Sequence, residues 1–158
     1  TDVEVLKSFN PLLEAQCIIG MEEKEYVATS FMAFEKGHPL VKEFLNLYEQ
    51  LSFLDKKGQI IAGTNVAKLT KMLKEKGFVQ ENHYQELENG IQIYPKEFFS
   101  PYDYINCHYN ITENSYCVHH FAVSWMSKKE QVKKGIKKRI VKILGPEKMN
   151  GIREKLKR

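Results

Sequence analysis

Hydrophobic and polar positions along the first 126 residues follow the strand period of two in some segments and the helix period of 3.6 in others. This combination predicts a mixed α/β domain. Alternating or continuous runs of apolar, β-branched and aromatic residues predict strands at 2–7, 15–20, 26–35, 91–94 and 116–121. Apolar residues at three- and four-residue spacing predict a helix over 40–51, with Pro39 suited to its first turn. The same spacing predicts a second helix that opens at 63–65 and ends at Gly77. We expect the first of these helices to pack against the sheet.

After residue 126 the pattern becomes that of a basic amphipathic helix. Its apolar residues recur every three or four positions with lysines between them: Val132, Ile136, Ile140, Ile143 and Leu144. We therefore divide the chain into a body, 1–126, and a basic helical tail, 127–158. Two interpretations of the tail stay open: contact with an anionic membrane surface, or docking of its apolar stripe on the domain.

Charge is distributed unevenly between these two parts. Residues 128–158 hold 13 Lys and Arg against three Glu, a net charge of +10, whereas the remaining chain has 11 basic and 17 acidic residues, a net charge of −6. The basic residues have no interleaved aromatic residues and no nucleic-acid motif accompanies them, so we expect no nucleic-acid partner.

Composition excludes several classes of protein. A hydrophobic content of 42% with nine Phe and eight Tyr among 158 residues is enough for one folded domain and excludes a disordered chain. No apolar run approaches the roughly 20 residues that span a bilayer. Three widely spaced cysteines fit neither a disulfide framework nor a zinc site, and this favours a reducing, cytoplasmic setting.

Candidate chemistry lies at the two ends of the body. Adjacent His119 and His120 point to opposite faces of a regular strand, so one can reach a site while the other packs behind it. Imidazole is a common metal ligand and a common acid or base, although a single His in an apolar strand is more often structural. At the other end, Asp2 offers oxygen ligands that suit Mg²⁺ or Mn²⁺. The alternative is that Asp2 and Glu4 are solvent-facing residues of an edge strand.

Four segments in order resemble a known family. They are Thr1-Asp2-Val3-Glu4; Ser30-Phe31-Met32-Ala33-Phe34-Glu35-Lys36-Gly37-His38-Pro39-Leu40; Ile93-Tyr94-Pro95-Lys96-Glu97-Phe98-Phe99-Ser100-Pro101; and His119-His120-Phe121-Ala122-Val123-Ser124-Trp125. Together they resemble the DXD-containing sugar transferases of glycosyltransferase family 32, which includes bacterial capsular polysaccharide synthesis proteins and yeast initiating mannosyltransferases. Asp2 matches the second Asp of the family's Asp-x-Asp-x-Glu segment. The first Asp and the nucleotide-binding half would precede Thr1, so we expect this chain to be the C-terminal portion.

The resemblance implies a partial GT-A-type fold, a mixed sheet with flanking helices, to which the C-terminal basic helices are added. It implies a metal-dependent hexosyltransferase that moves a sugar from a UDP- or GDP-sugar donor to a saccharide acceptor in surface or capsular polysaccharide synthesis. Mn²⁺ or Mg²⁺ would neutralise charge on the departing diphosphate. The implied metal ligands are Asp2, His120 (or His119 if the register differs) and Ser124. Trp125 would donate its indole N–H to the diphosphate or pack beside the nucleotide, and we nominate no catalytic base.

Further candidates and rival functions stay open. The helix start at Thr64 and Asn65 offers free backbone N–H groups for a phosphate or a sugar hydroxyl, and the alternative is plain helix capping. One rival function is a catalytically silent binding domain of the same fold. The other is a membrane-surface assembly module that uses the basic tail, at the inner face of the cytoplasmic membrane.

Overall fold

The computed structural model of the chain describes residues 2–23, 25–49, 51–52, 54–58, 64–103, 106–122, 128–145 and 148. The strands are β1 (Val3–Val5), β2 (Cys17–Glu23), β3 (Tyr26–Phe34), β4 (Gln85–Leu87), β5 (Ile91–Tyr94), β6 (Tyr102–Asp103), β7 (His108–Tyr109) and β8 (Cys117–His119). The helices are α1 (Pro39–Glu49), α2 (Asn65–Glu75), α3 (Lys96–Phe99) and α4 (Lys128–Leu144). This arrangement confirms the expected mixed α/β class.

The main sheet has the order β3-β2-β5-β4 and is mixed. β2 pairs in parallel with β5, whereas β3 and β4 pair antiparallel to their neighbours. β2 lies between two strands, and its first five residues are all buried, as the continuous apolar run from Cys17 to Gly20 predicts. Ile19 and Ile93 contribute to the larger core cluster on one face of the sheet, while Ile18 faces a second cluster around Phe99.

Helix α2 covers the first of these faces. Its Leu69 and Leu73 are buried in the core cluster, and its buried Thr70 accepts a hydrogen bond at Oγ1 from the Val27 backbone N–H of β3 (3.1 Å). That bond falls where the β2–β3 register is irregular, on both sides of the Met21–Val27 pair. A side chain of α2 therefore satisfies a buried strand amide.

Helix α1 packs on the sheet through only part of its apolar stripe. Leu40 at its start is buried, and Phe44 is half-buried against the core. These contacts confirm that α1 packs against the sheet, whereas Val41, Leu45 and Tyr48 of the same apolar stripe are exposed. A groove of about 500 Å³ lies between α1 and α2, and is lined by Glu43, Asn46, Leu47, Leu51, Lys68, Lys71, Met72 and Glu75.

The short elements α3, β6 and β7 connect β5 of the main sheet to β8. The aromatic-rich stretch 98–109, which its composition predicts as a loop, contains the end of α3 and the antiparallel β6–β7 pair. β1 and β8 form a separate two-stranded sheet. Both are shorter than their apolar alternation predicts, and Phe121, just beyond β8, has a positive φ of 49° that ends the extended backbone. Within the described ranges, no helix combines the length and the apolar content needed to cross a bilayer.

Candidate functional site

The antiparallel pairing of β1 with β8 brings the two candidate ends of the body together. Val3 lies opposite His119, Glu4 opposite Val118 and Val5 opposite Cys117. The pairing continues beyond the strands, because the His120 backbone N–H donates to the Asp2 carbonyl (2.9 Å). Residues more than a hundred positions apart in sequence thus share one short sheet.

Asp2 is held against both backbone and side-chain donors of the β8 end. Its Oδ2 accepts a hydrogen bond from the Ala122 backbone N–H (2.7 Å), and its Oδ1 lies 3.3 Å from Nε2 of His119. The hydrogen bond from Ala122, with the neighbouring His119 adding to it, holds the pKa of the Asp2 carboxyl below its usual value of 3.8. Asp2 is therefore ionised at neutral pH.

A strained turn aims the Ala122 N–H at this carboxylate. Phe121 adopts a left-handed φ of 49°, which costs a bulky L-residue about 1–2 kcal/mol. Its ring lies 4.0 Å from the His119 ring, centroid to centroid, so the turn also places an aromatic surface against the imidazole. Strained backbone of this kind concentrates at functional sites.

His119 presents one nitrogen to Asp2 and buries the other. Nε2 faces the carboxylate, while Nδ1 is buried and has no hydrogen-bond partner among the described residues. The nitrogen available to a ligand is therefore Nε2.

His120 belongs to a different set of contacts on the other face. Its Nε2 lies 3.0 Å from Oε2 of Glu4, and its Nδ1 lies 2.9 Å from the Tyr109 hydroxyl. Glu4 is opposite Val118, so His120, two residues on, is its diagonal neighbour on the same face. Burial and the nearby Glu4 raise the pKa of Tyr109. The structure thus brings His119, rather than the first-nominated His120, to the Asp2 carboxylate.

The Asp2 carboxylate oxygen and the His119 ring nitrogen are suited to act as two ligands of a divalent cation. Two neighbouring ligands of an octahedral ion with bonds of about 2.1 Å lie roughly 3 Å apart, close to the separation of Asp2 Oδ1 and His119 Nε2. Across the described part of the chain, no group of three or more His, Cys, Asp or Glu side chains is placed to hold a metal ion. These residues would therefore supply part of a coordination shell.

Of the remaining predicted site residues, two lie elsewhere and two lie outside the described residues. Thr64 is the N-cap of α2 and accepts a hydrogen bond from the Ala67 N–H (3.2 Å). Asn65 donates through Nδ2 to Thr29 Oγ1 of β3 (3.0 Å), in a different sheet from β1 and β8. Thr64 thus caps α2 and Asn65 links the start of α2 to β3, whereas Ser124 and Trp125 fall outside the described residues.

His38, in the turn that the family resemblance includes, is a buried structural residue. Its Nδ1 accepts from the Leu40 N–H (3.3 Å), and its Nε2 is 2.9 Å from the Asn89 carbonyl, to which it donates. A turn or capping role, rather than a ligand role, is what its place between Gly37 and Pro39 predicts.

Two members of the site were not predicted from sequence. Tyr109 was assigned to a loop and Ala122 has no functional side chain, so neither carried a signal of its own. Alternation predicts that Glu4, two residues from Asp2, points to the same side as Asp2, but the structure directs Asp2 to His119 and Glu4 to His120. Comparison of the chain with protein-family models, with curated proteins and with solved structures found no match in any of the three.

Proposed function

We propose that the chain is the C-terminal portion of a metal-dependent, GT-A-type sugar transferase that resembles glycosyltransferase family 32. The observation that carries the proposal is the meeting of Asp2 and His119, with Oδ1 and Nε2 3.3 Å apart. Both belong to the segments on which the resemblance rests, and both offer atoms that divalent cations accept as ligands. The donor would be a UDP- or GDP-sugar and the acceptor a saccharide.

The residues of the site have distinct tasks in this proposal. Asp2 holds a negative charge at neutral pH because the Ala122 N–H stabilises its ionised form. His119 faces Asp2 through Nε2, and this is the nitrogen that it would offer to the cation. A bound Mn²⁺ or Mg²⁺ supplies neutralisation of the charge that develops on the diphosphate leaving group. Ser124 and Trp125 would complete the ligand and diphosphate contacts.

The buried thiols support a cytoplasmic setting for this activity. Cys17, Cys107 and Cys117 are all free and buried, which fits a reducing compartment. We therefore place the activity in the cytoplasm. The rival function is a catalytically silent domain that binds saccharide or a partner protein through the same fold.

Metal binding is the first test, because it precedes any choice of donor. Mn²⁺ is titrated into the chain and into Asp2→Asn, His119→Gln and His120→Gln variants, and bound ion is measured by electron paramagnetic resonance. We expect Asp2→Asn and His119→Gln to weaken Mn²⁺ binding at least about tenfold. The matched His120→Gln variant keeps its affinity within about twofold, because His120 faces Glu4 instead. Equal affinities in all four proteins would overturn the metal-site assignment.

Donor binding then separates the transferase from the silent domain. UDP-glucose, UDP-galactose and GDP-mannose are tested by saturation-transfer NMR with and without Mn²⁺. Metal-dependent contact with one donor that Asp2→Asn removes supports the transferase. Mn²⁺ binding without contact to any of the three donors would favour the silent domain.

A further inference from the structure

Helix α4 presents a stripe of aliphatic side chains to solvent. Val132, Ile136, Ile140 and Ile143 are 61%, 54%, 40% and 82% exposed. At 3.6 residues per turn, their spacing places all four on one side of the helix. Val141 lies on the opposite side and is buried. We call the four exposed residues the α4 stripe.

The charge of α4 restricts what can cover this stripe. The helix sequence contains eight Lys and Arg and a single acidic residue, Glu130. Such a charge disfavours pairing with a second copy of the same helix and favours an anionic surface. Single-stranded nucleic acid offers negative charge, but its bases stack on aromatic side chains, and α4 has none.

We propose that α4 lies in the plane of an anionic phospholipid bilayer. Its lysines and arginine bind the headgroups, and the α4 stripe enters the boundary between headgroups and acyl chains. A polar face rich in basic residues opposite an aliphatic face is the arrangement found in helices that lie on membranes. This proposal is independent of the transferase assignment, because it uses no residue of the Asp2–His119 site.

The test is flotation of the full chain with vesicles of two compositions. One is pure phosphatidylcholine, and the other contains about 30 mol% phosphatidylglycerol. We expect binding to the anionic vesicles only. Ile136→Asn/Ile140→Asn should weaken it at least about tenfold for each isoleucine, as burial of one aliphatic side chain changes a partition coefficient by that much. A Lys133→Gln/Lys137→Gln/Lys142→Gln variant should bind roughly fivefold more weakly per charge removed, and its binding should depend less steeply on salt concentration.

A matched control removes exposed aliphatic residues elsewhere. Leu45 and Val79 are 59% and 52% exposed, and Leu45→Asn/Val79→Asn should bind the vesicles as the parent does. A gain-of-binding variant guards against misfolding. Gly135 lies within α4, and a Cβ there meets no atom of the described residues within 4 Å. Gly135→Ala should therefore strengthen the helix and tighten vesicle binding up to about fivefold.

Three results would overturn the proposal. The first is equal binding to neutral and anionic vesicles. The second is vesicle binding that survives Ile136→Asn/Ile140→Asn unchanged. The third is retention on an anionic polymer such as heparin with no binding to the vesicles, which would assign the charge of α4 to a soluble polyanion.

Discussion

Gly20, in the middle of β2, occupies a position where the structure has no room for a side chain. A Cβ built at this residue would lie 2.9 Å from Cδ2 and 3.2 Å from Cβ of Phe99. A ring atom can move by rotation, but the Cβ of Phe99 moves only with the backbone of α3. Phe99 is fully buried and its ring stacks on Phe31 with centroids 4.0 Å apart, so rotation is restricted too. We expect Gly20→Ala to displace α3 from β2.

The magnitude follows from the cost of overpacking a close-packed core. Inserting one methyl group that forces a backbone shift costs about 1–3 kcal/mol. For a chain of this size, each kcal/mol lowers the midpoint of thermal unfolding by about 2–4 °C. Gly20→Ala should therefore melt roughly 2–12 °C below the parent, measured by circular dichroism, with urea unfolding as the second assay.

A second glycine and a double-mutant cycle provide the controls. Gly135→Ala in α4 adds a methyl group that lies more than 4 Å from every atom in the described part of the chain, so it should be neutral or stabilise the helix by up to about 1 kcal/mol. Phe99→Leu removes ring atoms, so Gly20→Ala should cost at least about 1 kcal/mol less in that background. If Gly20→Ala costs no more than Gly135→Ala, the packing of α3 on β2 described above is wrong.

Three other predictions rest on single contacts. Thr70→Val should cost about 1–3 kcal/mol because it leaves the buried Val27 N–H unpaired. Thr70→Ser keeps the hydroxyl and should cost less in urea unfolding, whereas equal costs would refute the role of this bond. The lowered pKa of Asp2 means that its stabilising contribution is present above 3.8, its unfolded value, and is lost as the pH falls through the lower folded value. The parent should thus lose stability more steeply than Asp2→Asn from about pH 5 to 2, and identical acid profiles would contradict this. Burial raises the pKa of the Cys17 thiol to about 12, so iodoacetamide at about pH 8 should label it only after unfolding, as read by mass spectrometry.

The main sheet was largely predictable because its two central strands have clear apolar patterns. The run around Ile18 in β2 is continuous and buried, whereas β5 alternates buried Ile91 and Ile93 with half-buried residues and has the bounds that its sequence predicts. β4, with the sequence Gln-Glu-Leu, has no apolar alternation to reveal it. The two-residue strands β6 and β7 are too short to produce a period at all. The exposure of Leu45 on α1 also has no signal in the sequence, because helical spacing gives the direction of a face but not whether anything covers it.

The sequence predicted that the two ends of the body form the site, but it did not predict which histidine contacts Asp2. Strand alternation separates His119 from His120, yet it does not say which of them reaches Asp2, because Asp2 lies just outside β1. The choice depends on the backbone turn at Phe121, which directs the Ala122 N–H to the carboxylate. A left-handed φ at phenylalanine is a tertiary outcome that no local propensity favours.

The position of the site depends on the same contacts that make Gly20 sensitive. Two carbonyl groups at the end of α3 fix the position of the start of β8 through hydrogen bonds. Phe98 O accepts from the Tyr116 N–H (2.7 Å), and Phe99 O accepts from the Cys117 thiol (3.4 Å). β1 is in turn paired to β8 over only three register positions. The geometry of Asp2 and His119 is therefore transmitted from the core of the main sheet through α3. A substitution that shifts Phe99 would therefore move His119 relative to the Asp2 carboxylate, although no residue of the site itself has been replaced.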